Sequence, residues 1–521
     1  MCGAPALLYW AHMTFDFIVV GAGSAGCVLA RRLVEGGARV LLLEAGGHDR
    51  HLFVTAPAAF SRLFGTRFDW NLHTEPQTHL NGRRLYWPRG RVLGGSSAIN
   101  ATIWIRGARQ DFDAWGPGWT WADVLPAFRS IETFDGGESV TRGGSGPLPV
   151  GARRYTHALS HAFVASAVRA GYGVQRGFND GDLEGFGLFE SNHRGGERVS
   201  AYRAFVAPIL GHPGLTVRPD ARVTRVLVEG GRAAGVELRV QGRTETLRAG
   251  GVILAAGAVH SPQLLMLSGV GPRAELARHG IDVRAHLPGV GENLQDHLAV
   301  PVIARSKVPS LDRELGPGAL LPYLRGREGA LASNVAEAGG FVRSRADLPA
   351  PDLQFLFGPA YFRDHGRVRA RGDHLSLGPV LVEPRSRGRL TLRPGDPWGA
   401  PLIDPAYLTD ERDLDALAYG VAAAREILRA SPLRELRGEE VLPAHARVDE
   451  HIRAEAQTLY HPVGTCRLGD DDLAVVSRDL RVRGVDDLWV ADASVMPVIT
   501  RANTNAPSMM IGERAAALIL G

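Results

Sequence analysis

Phe15-Asp16-Phe17-Ile18-Val19-Val20-Gly21-Ala22-Gly23-Ser24-Ala25-Gly26 decides the fold of this 521-residue chain. The first six residues are mostly apolar, rich in β-branched and aromatic types, and end at a glycine, as a short buried strand does. Beyond Gly26 the apolar Val28, Leu29 and Leu33 recur at helical spacing until Gly36-Gly37 stops the pattern. Ala38 to Leu43 make a second strand, closed by Glu44. Strand, glycine turn, helix and strand, in that order, predict the opening of a dinucleotide-binding unit. Gly21 serves the tight turn, Gly23 the close approach of backbone to a pyrophosphate, and Gly26 the packing of helix on strand. The helix N-terminus faces the phosphates. Glu44, 18 residues beyond Gly26, is placed to bind both hydroxyls of a ribose. The motif by itself does not separate FAD from NAD.

A second glycine cluster follows at Gly90-Arg91-Val92-Leu93-Gly94-Gly95-Ser96-Ser97-Ala98-Ile99-Asn100. Paired glycines and serines offer backbone N–H groups and hydroxyls to an anionic or carbonyl-rich ligand. Apolar Val92, Leu93 and Ile99 around them suit a buried turn better than a surface loop.

From Gly90 through Asn100, Trp104 and Gly107 to Asp113 the sequence resembles the first signature of the glucose-methanol-choline (GMC) oxidoreductases, nearest to their choline dehydrogenase-like members. Gly257 to Gly271 resembles the second signature. Pro288-Gly289-Val290-Gly291-Glu292-Asn293-Leu294-Gln295-Asp296-His297, Tyr460-His461-Pro462-Val463-Gly464-Thr465 and Asn503-Thr504-Asn505-Ala506-Pro507 fit as well, so the resemblance spans residues 15 to 519. It implies FAD, lying across an α/β Rossmann-like domain beside an α+β substrate domain built on a mainly antiparallel sheet. By position, Ser24, Ala25 and Glu44 would hold the ADP part and Val223 would meet adenine. Val92, Ser96 and the segment Asn100, Ala101, Thr102 and Ile103 would lie along the pyrophosphate, ribityl chain and flavin ring, with Asp492 near the ribityl chain. Some members link the flavin through a histidine immediately before the signature asparagine. That position is Ile99, so FAD is expected to be non-covalent.

An alcohol gives up a hydride only if its hydroxyl proton has a destination, and a neutral histidine is the natural acceptor near neutral pH. The resemblance implies that His461 takes this role, and Pro462 biases it toward extended backbone. It implies Asn505, 44 residues on, as the partner that orients the hydroxyl. Asn505-Ala506-Pro507 also opens a final helix, a favourable place for proline. Glu337 sits near where choline-oxidising relatives place an acid opposite trimethylammonium, and is a candidate substrate contact. The predicted activity is FAD-dependent dehydrogenation or oxidation of a small-molecule alcohol, with the substrate and the electron acceptor (oxygen, quinone or other) open. The same scaffold is also used by fatty acid photodecarboxylases, which Phe68-Asp69-Trp70-Asn71-Leu72 resembles, and by hydroxynitrile lyases. Retention of His461 and the lack of a cysteine–arginine pair around Val382-Glu383-Pro384 argue against photochemistry.

Composition is that of an ordinary globular protein, with 45% hydrophobic and 22% charged residues. Net charge is only +4, and the 59 basic residues, of which Lys307 is the only lysine, are interleaved with acids. No basic run suggests nucleic acid. Cys2, Cys27 and Cys466 have neither disulfide-framework nor metal-like spacing, which suits a reducing, cytoplasmic setting. No run of about 18 apolar residues predicts a membrane span. Residues 1–12 lack the charged region of a signal peptide, and Met13, directly before Thr14 and the first strand, is as good a start as Met1. Apolar–polar alternation at Asp352 to Phe357 and Arg389 to Leu392 predicts strands flooring a substrate pocket. The expected division is 14–150, 205–300 and 452–521 for FAD, and 151–204 and 301–451 for substrate.

Overall fold

The computed structural model describes residues 14–444 and 447–521; the alternative start at Met13 lies outside them. Strand β1 (Phe15–Val20), helix α1 (Ser24–Glu35) and strand β2 (Val40–Leu43) form where the opening sequence predicts them. β1 pairs in parallel with β2, and β2 with β3 (Leu215–Arg218). Next in the chain come β4 (Arg222–Glu229), β5 (Arg232–Val240) and β6 (Arg243–Leu254), which form an antiparallel ribbon that joins the sheet through β6 beside β1.

β6 belongs to two environments. Its first half, Arg-Thr-Glu-Thr-Leu-Arg, is largely exposed and pairs with β5. Its last four residues, Gly251 to Leu254, are buried and pair in parallel with β1 on one side and β7 (Leu488–Val490) on the other. The change from charged to apolar composition within one strand marks its entry between covering layers. α2 (Gly257–Leu267) follows β6, and α3 (Asn505–Leu520) packs across α1. The crossing is so close that a Cβ on Gly512 would lie 2.4 Å from the Ala25 carbonyl oxygen.

The second sheet is antiparallel, in the order Arg437–Leu442, Val302–Ser306, His374–Leu381, Leu353–Gly358, Ala338–Val342 and Gly185–Leu188, with Leu298–Ala299 and Gln457–Thr458 joined at one end. Its two faces follow the strand period of two. Phe355, Phe357, Leu375 and Leu377 enter the main core, where helices Ala158–Arg169 and Glu411–Arg429 cover the sheet. Leu356, Gly358, Ser376, Gly378 and Val380 face a cavity instead. Arg389–Thr391 does not join this floor as expected: it pairs with Leu402–Asp404 in a separate ribbon, and Leu390 bonds the Gly291 carbonyl. The fold is thus α/β, with a parallel nucleotide-type sheet beside a mainly antiparallel one. Among the described residues no helix is long and apolar enough to cross a membrane.

Candidate active site

A cavity of about 340 Å³ runs from the glycine turn after β1 to the floor of the antiparallel sheet. Gly21, Gly23, Ser24, Ala25 and Glu44 line one end, with Val223 and Asp492. Ser96 and residues 100–103 line its flank, and His461, Asn503 and Asn505 also face it. Gly21 has φ +106°, and a Cβ there would fall 2.4 Å from the Ala255 carbonyl oxygen. A Cβ on Gly26 would lie 1.9 Å from the Gly21 oxygen, so this glycine lies against the turn and not in the cavity wall. Gly23 has no atom within 4 Å of its missing Cβ, which leaves backbone open to a ligand.

Glu44 accepts from the Ala22 and Gly46 N–H groups at 3.0 and 2.8 Å, and burial pushes its carboxyl up to about 7. Asp492 accepts from Gly257 N–H and Ser261 O–H at 2.8 and 2.5 Å, binding β7 to the start of α2, and burial raises it too. Asn505 accepts from Ser24 O–H at 2.7 Å, while its amide nitrogen is buried with no partner. An orphaned donor, an open glycine and acceptors beside two helix N-termini fit a dinucleotide. Val92 does not reach the cavity: it is fully buried against Val54, Leu63, Phe68, Ala98 and Ile99. The segment after it is held by Arg198, a buried guanidinium that bonds the carbonyls of Ala98, Asn100, Val54 and Pro57. Burial without a carboxylate partner lowers Arg198 to about 9.

His461 lies across the cavity from this segment, buried and held from several sides. Its backbone N–H donates to Asp296 at 2.8 Å, and Asp296 also accepts from Thr458 and Tyr407. Burial raises Asp296 to about 6. Tyr460, just before it, has φ +69°, a left-handed conformation unusual for an aromatic residue. That conformation is kept by the Thr458 hydroxyl, which accepts from its N–H at 2.8 Å, and by Arg89, which donates to its carbonyl. The His461 ring meets His297 through Nδ1 on both rings at 2.9 Å. Its Nε2 meets the Asn503 amide at 3.3 Å, and Gln354 fixes the amide by donating to the Asn503 oxygen at 3.5 Å. Burial, then the neighbouring His297 and Arg89, hold His461 well below the usual histidine range, and burial takes His297 to about 3.

Besides Val92, two expected site residues, Asn505 and Glu337, are placed differently. The structure pairs His461 with Asn503, and Asn505, the first residue of α3, is turned to Ser24. Glu337 does not line the cavity. Its carboxylate accepts from His157 N–H (2.8 Å), Ser160 O–H (2.6 Å) and Ser333 O–H (2.6 Å), at the start of helix Ala158–Arg169. Val335 and Ala336 face the cavity in its stead. Sequence reasoning missed His297, although its motif was in view, because its contact with a residue 164 positions away is tertiary.

The family description "GMC oxidoreductase" matches residues 15–299 with its N-terminal part and 384–512 with its C-terminal part. The chain belongs to the GMC oxidoreductase family. It is 41% identical to the alcohol dehydrogenase (acceptor) of Pseudomonas putida over 97% of this chain and 96% of that protein. It is 42% identical to the mitochondrial choline dehydrogenase of Mus musculus over 97% and 89%. In structure it is similar to pyridoxine 4-oxidase from Mesorbium loti, with a TM-score of 0.88, 32% identity and coverage of 97% and 99%. The cofactor of this GMC oxidoreductase is FAD, as the family implies, and the glycine cradle and the acceptors around it fit its dinucleotide part. Ile99, beside that cradle, presents no atom able to form a covalent link to it.

Proposed function

We propose that this chain oxidises the CH–OH group of an alcohol to a carbonyl, with His461 as the proton acceptor and Asn503 orienting the hydroxyl. The observation that carries the reading is the placement of His461 on the cavity wall, with Nε2 3.3 Å from the Asn503 amide and Nδ1 2.9 Å from His297 Nδ1. Gln354 donates to the Asn503 oxygen, so the amide nitrogen of Asn503 is the donor toward His461 Nε2. In the tautomer that matches these contacts, Nε2 carries the lone pair and Nδ1–H donates to His297 Nδ1. A ring in this tautomer, kept neutral by burial, accepts a proton from a hydroxyl without first losing one. Asp296 and the left-handed Tyr460 hold the backbone that aims it. FAD, when bound, supplies the acceptor for the hydride that leaves the carbinol carbon. Ser24, Asn505, Glu44 and Asp492 are the residues that would hold FAD in place.

Similarity to an alcohol dehydrogenase and a choline dehydrogenase supports the same class of reaction. Anaerobic mixing of the holoenzyme with a panel of alcohols tests it. Flavin colour bleaches as the alcohol is oxidised; FAD that stays oxidised with every alcohol sinks the proposal and leaves a lyase or photochemical use of the scaffold. His461→Ala should keep FAD and lose about 10²–10⁴-fold in turnover. The base acts unprotonated and its pKa is depressed, so kcat/KM should be flat through neutrality and fall only on acidification. The midpoint of that fall should lie below the ordinary histidine value of about 6.5.

A further inference from the structure

We infer that Arg198 is a positioning residue for the redox step, its buried positive charge stabilising the negative charge that FAD gains on reduction. From the proposed oxidation this takes only that the flavin is reduced. Arg198 is 1% exposed, and the hydrogen bonds it makes to described residues all go to backbone carbonyls. Nε and Nη2 donate to the Asn100 oxygen at 3.0 and 2.7 Å. Nη1 donates to Phe53, Val54 and Ala98 at 3.3, 2.6 and 3.2 Å, and Nη2 also to Pro57 at 3.3 Å.

A buried cation is ordinarily paired with a carboxylate. Arg106 and Arg142 share Glu132 at 2.7 Å, and Arg501 meets both Asp111 and Glu383. Arg89, on the cavity wall, has its charge offset by Asp296 and Asp69. Among the described residues no carboxylate pairs with Arg198, and the charge it feels from Arg203 has its own sign. Carbonyl dipoles solvate the guanidinium but leave its net charge uncancelled. A charge kept at that cost calls for a counter-charge from outside the chain.

The place of Arg198 says where that counter-charge arrives. Ile99, Asn100 and Ala101 line the cavity, in the stretch expected to lie along the flavin, so the guanidinium sits one peptide group behind the wall. His461 lies across the cavity. Oxidation of the alcohol sends the hydroxyl proton to His461 and a hydride, two electrons with one proton, to FAD. His461 thereby becomes positive and the flavin one charge more negative. A fixed cation behind the flavin-facing wall favours that separation, and in a buried setting it is weakly screened. It is also immobile. Asn100 Oδ1 accepts from Thr102 N–H at 3.0 Å, and Asn334 donates to the Ala101 carbonyl at 3.0 Å. Through Pro57, Arg198 further ties the helix Pro57–Leu63, which carries Phe60 to the same cavity. A charge set in place before reaction costs no reorganisation when the flavin is reduced.

Sulfite adds to oxidised flavin and leaves a negative charge on the ring, so its dissociation constant reads local positive charge without any alcohol. It is measured on wild-type, Arg198→Lys, Arg198→Gln and Arg198→Met holoenzymes, together with the midpoint potential of the flavin. Loss of charge should weaken sulfite binding by about 10- to 100-fold in the Gln and Met variants and make the potential more negative. Arg198→Lys, which keeps the charge and loses most of the carbonyl bonds, should stay close to wild type in both. Neutral variants that bind sulfite as wild type does, or a Lys variant that falls with them, overturn the inference and leave Arg198 a carbonyl clamp. If the neutral variants hold no flavin, the reduced wild-type holoenzyme decides. On acidification its flavin spectrum should remain that of the anion, and protonation where free reduced flavin protonates overturns the inference. A protein that passes these tests but is bleached by no alcohol sinks the oxidation reading and spares the role of Arg198.

Discussion

The turn from β1 into α1 and the turn from Ser333 to Glu337 border the same cavity and are built on opposite logic. At the first, backbone geometry dictates the residue: Gly21 is left-handed and packed on Ala255, and Gly26 has no room for a single added carbon. At the second, the backbone is just as unusual, yet Val335 occupies it against its own preference. Residues chosen for the chain's path leave a mark in the sequence. Residues chosen for what enters the cavity leave much less.

The sharpest break of this contrast is Gly26→Ala. The added carbon would sit 1.9 Å from the Gly21 oxygen, against backbone that has nowhere to go because Ala255 packs behind it. The expected outcome is protein purified essentially without flavin, read from visible absorbance per chain. A fully flavinylated, active Gly26→Ala would show that the turn is not the cradle it resembles.

A smaller effect, on rate and not on cofactor content, separates Asn503 from Asn505. Asn503→Ala removes the donor that faces His461 Nε2 and should lower kcat by about 10²-fold with FAD retained. Asn505→Ala cuts the tie to Ser24 at the cradle and should loosen FAD while sparing the rate of the loaded fraction. The reverse pattern would restore Asn505 as the partner of the base.

This pair also shows where reading the sequence stops. β1, α1 and β2 were legible because their periodicity and their glycines are local. The alternation from Leu353 to Phe357 was legible for the same reason. Asn503 and Asn505 share one motif, and which of them meets His461 depends on where α3 begins. Asn505 is its first residue, whereas Asn503 lies in the preceding turn, after Ala502 at φ +148°. His297 and Asp296 are likewise adjacent in sequence but act on different atoms of His461, the ring and the backbone. Such roles follow from packing across more than 150 residues, which spacing does not record.

The smallest expected effect tests the second turn directly. Glu337→Gln keeps the shape but leaves one of three buried donors, from His157, Ser160 and Ser333, without a full acceptor. It also removes the negative charge that stabilises the buried Arg153, whose guanidinium burial already lowers to about 10. Stability should fall by about 1–3 kcal/mol in denaturant titration, the cost of an unsatisfied buried polar group. Rates of flavin reduction by choline and by other alcohols should stay as in the wild type, because the carboxylate does not line the cavity. A selective loss of choline turnover with stability unchanged would bring Glu337 back to the substrate, and would mean that the turn presents its acid and not Val335.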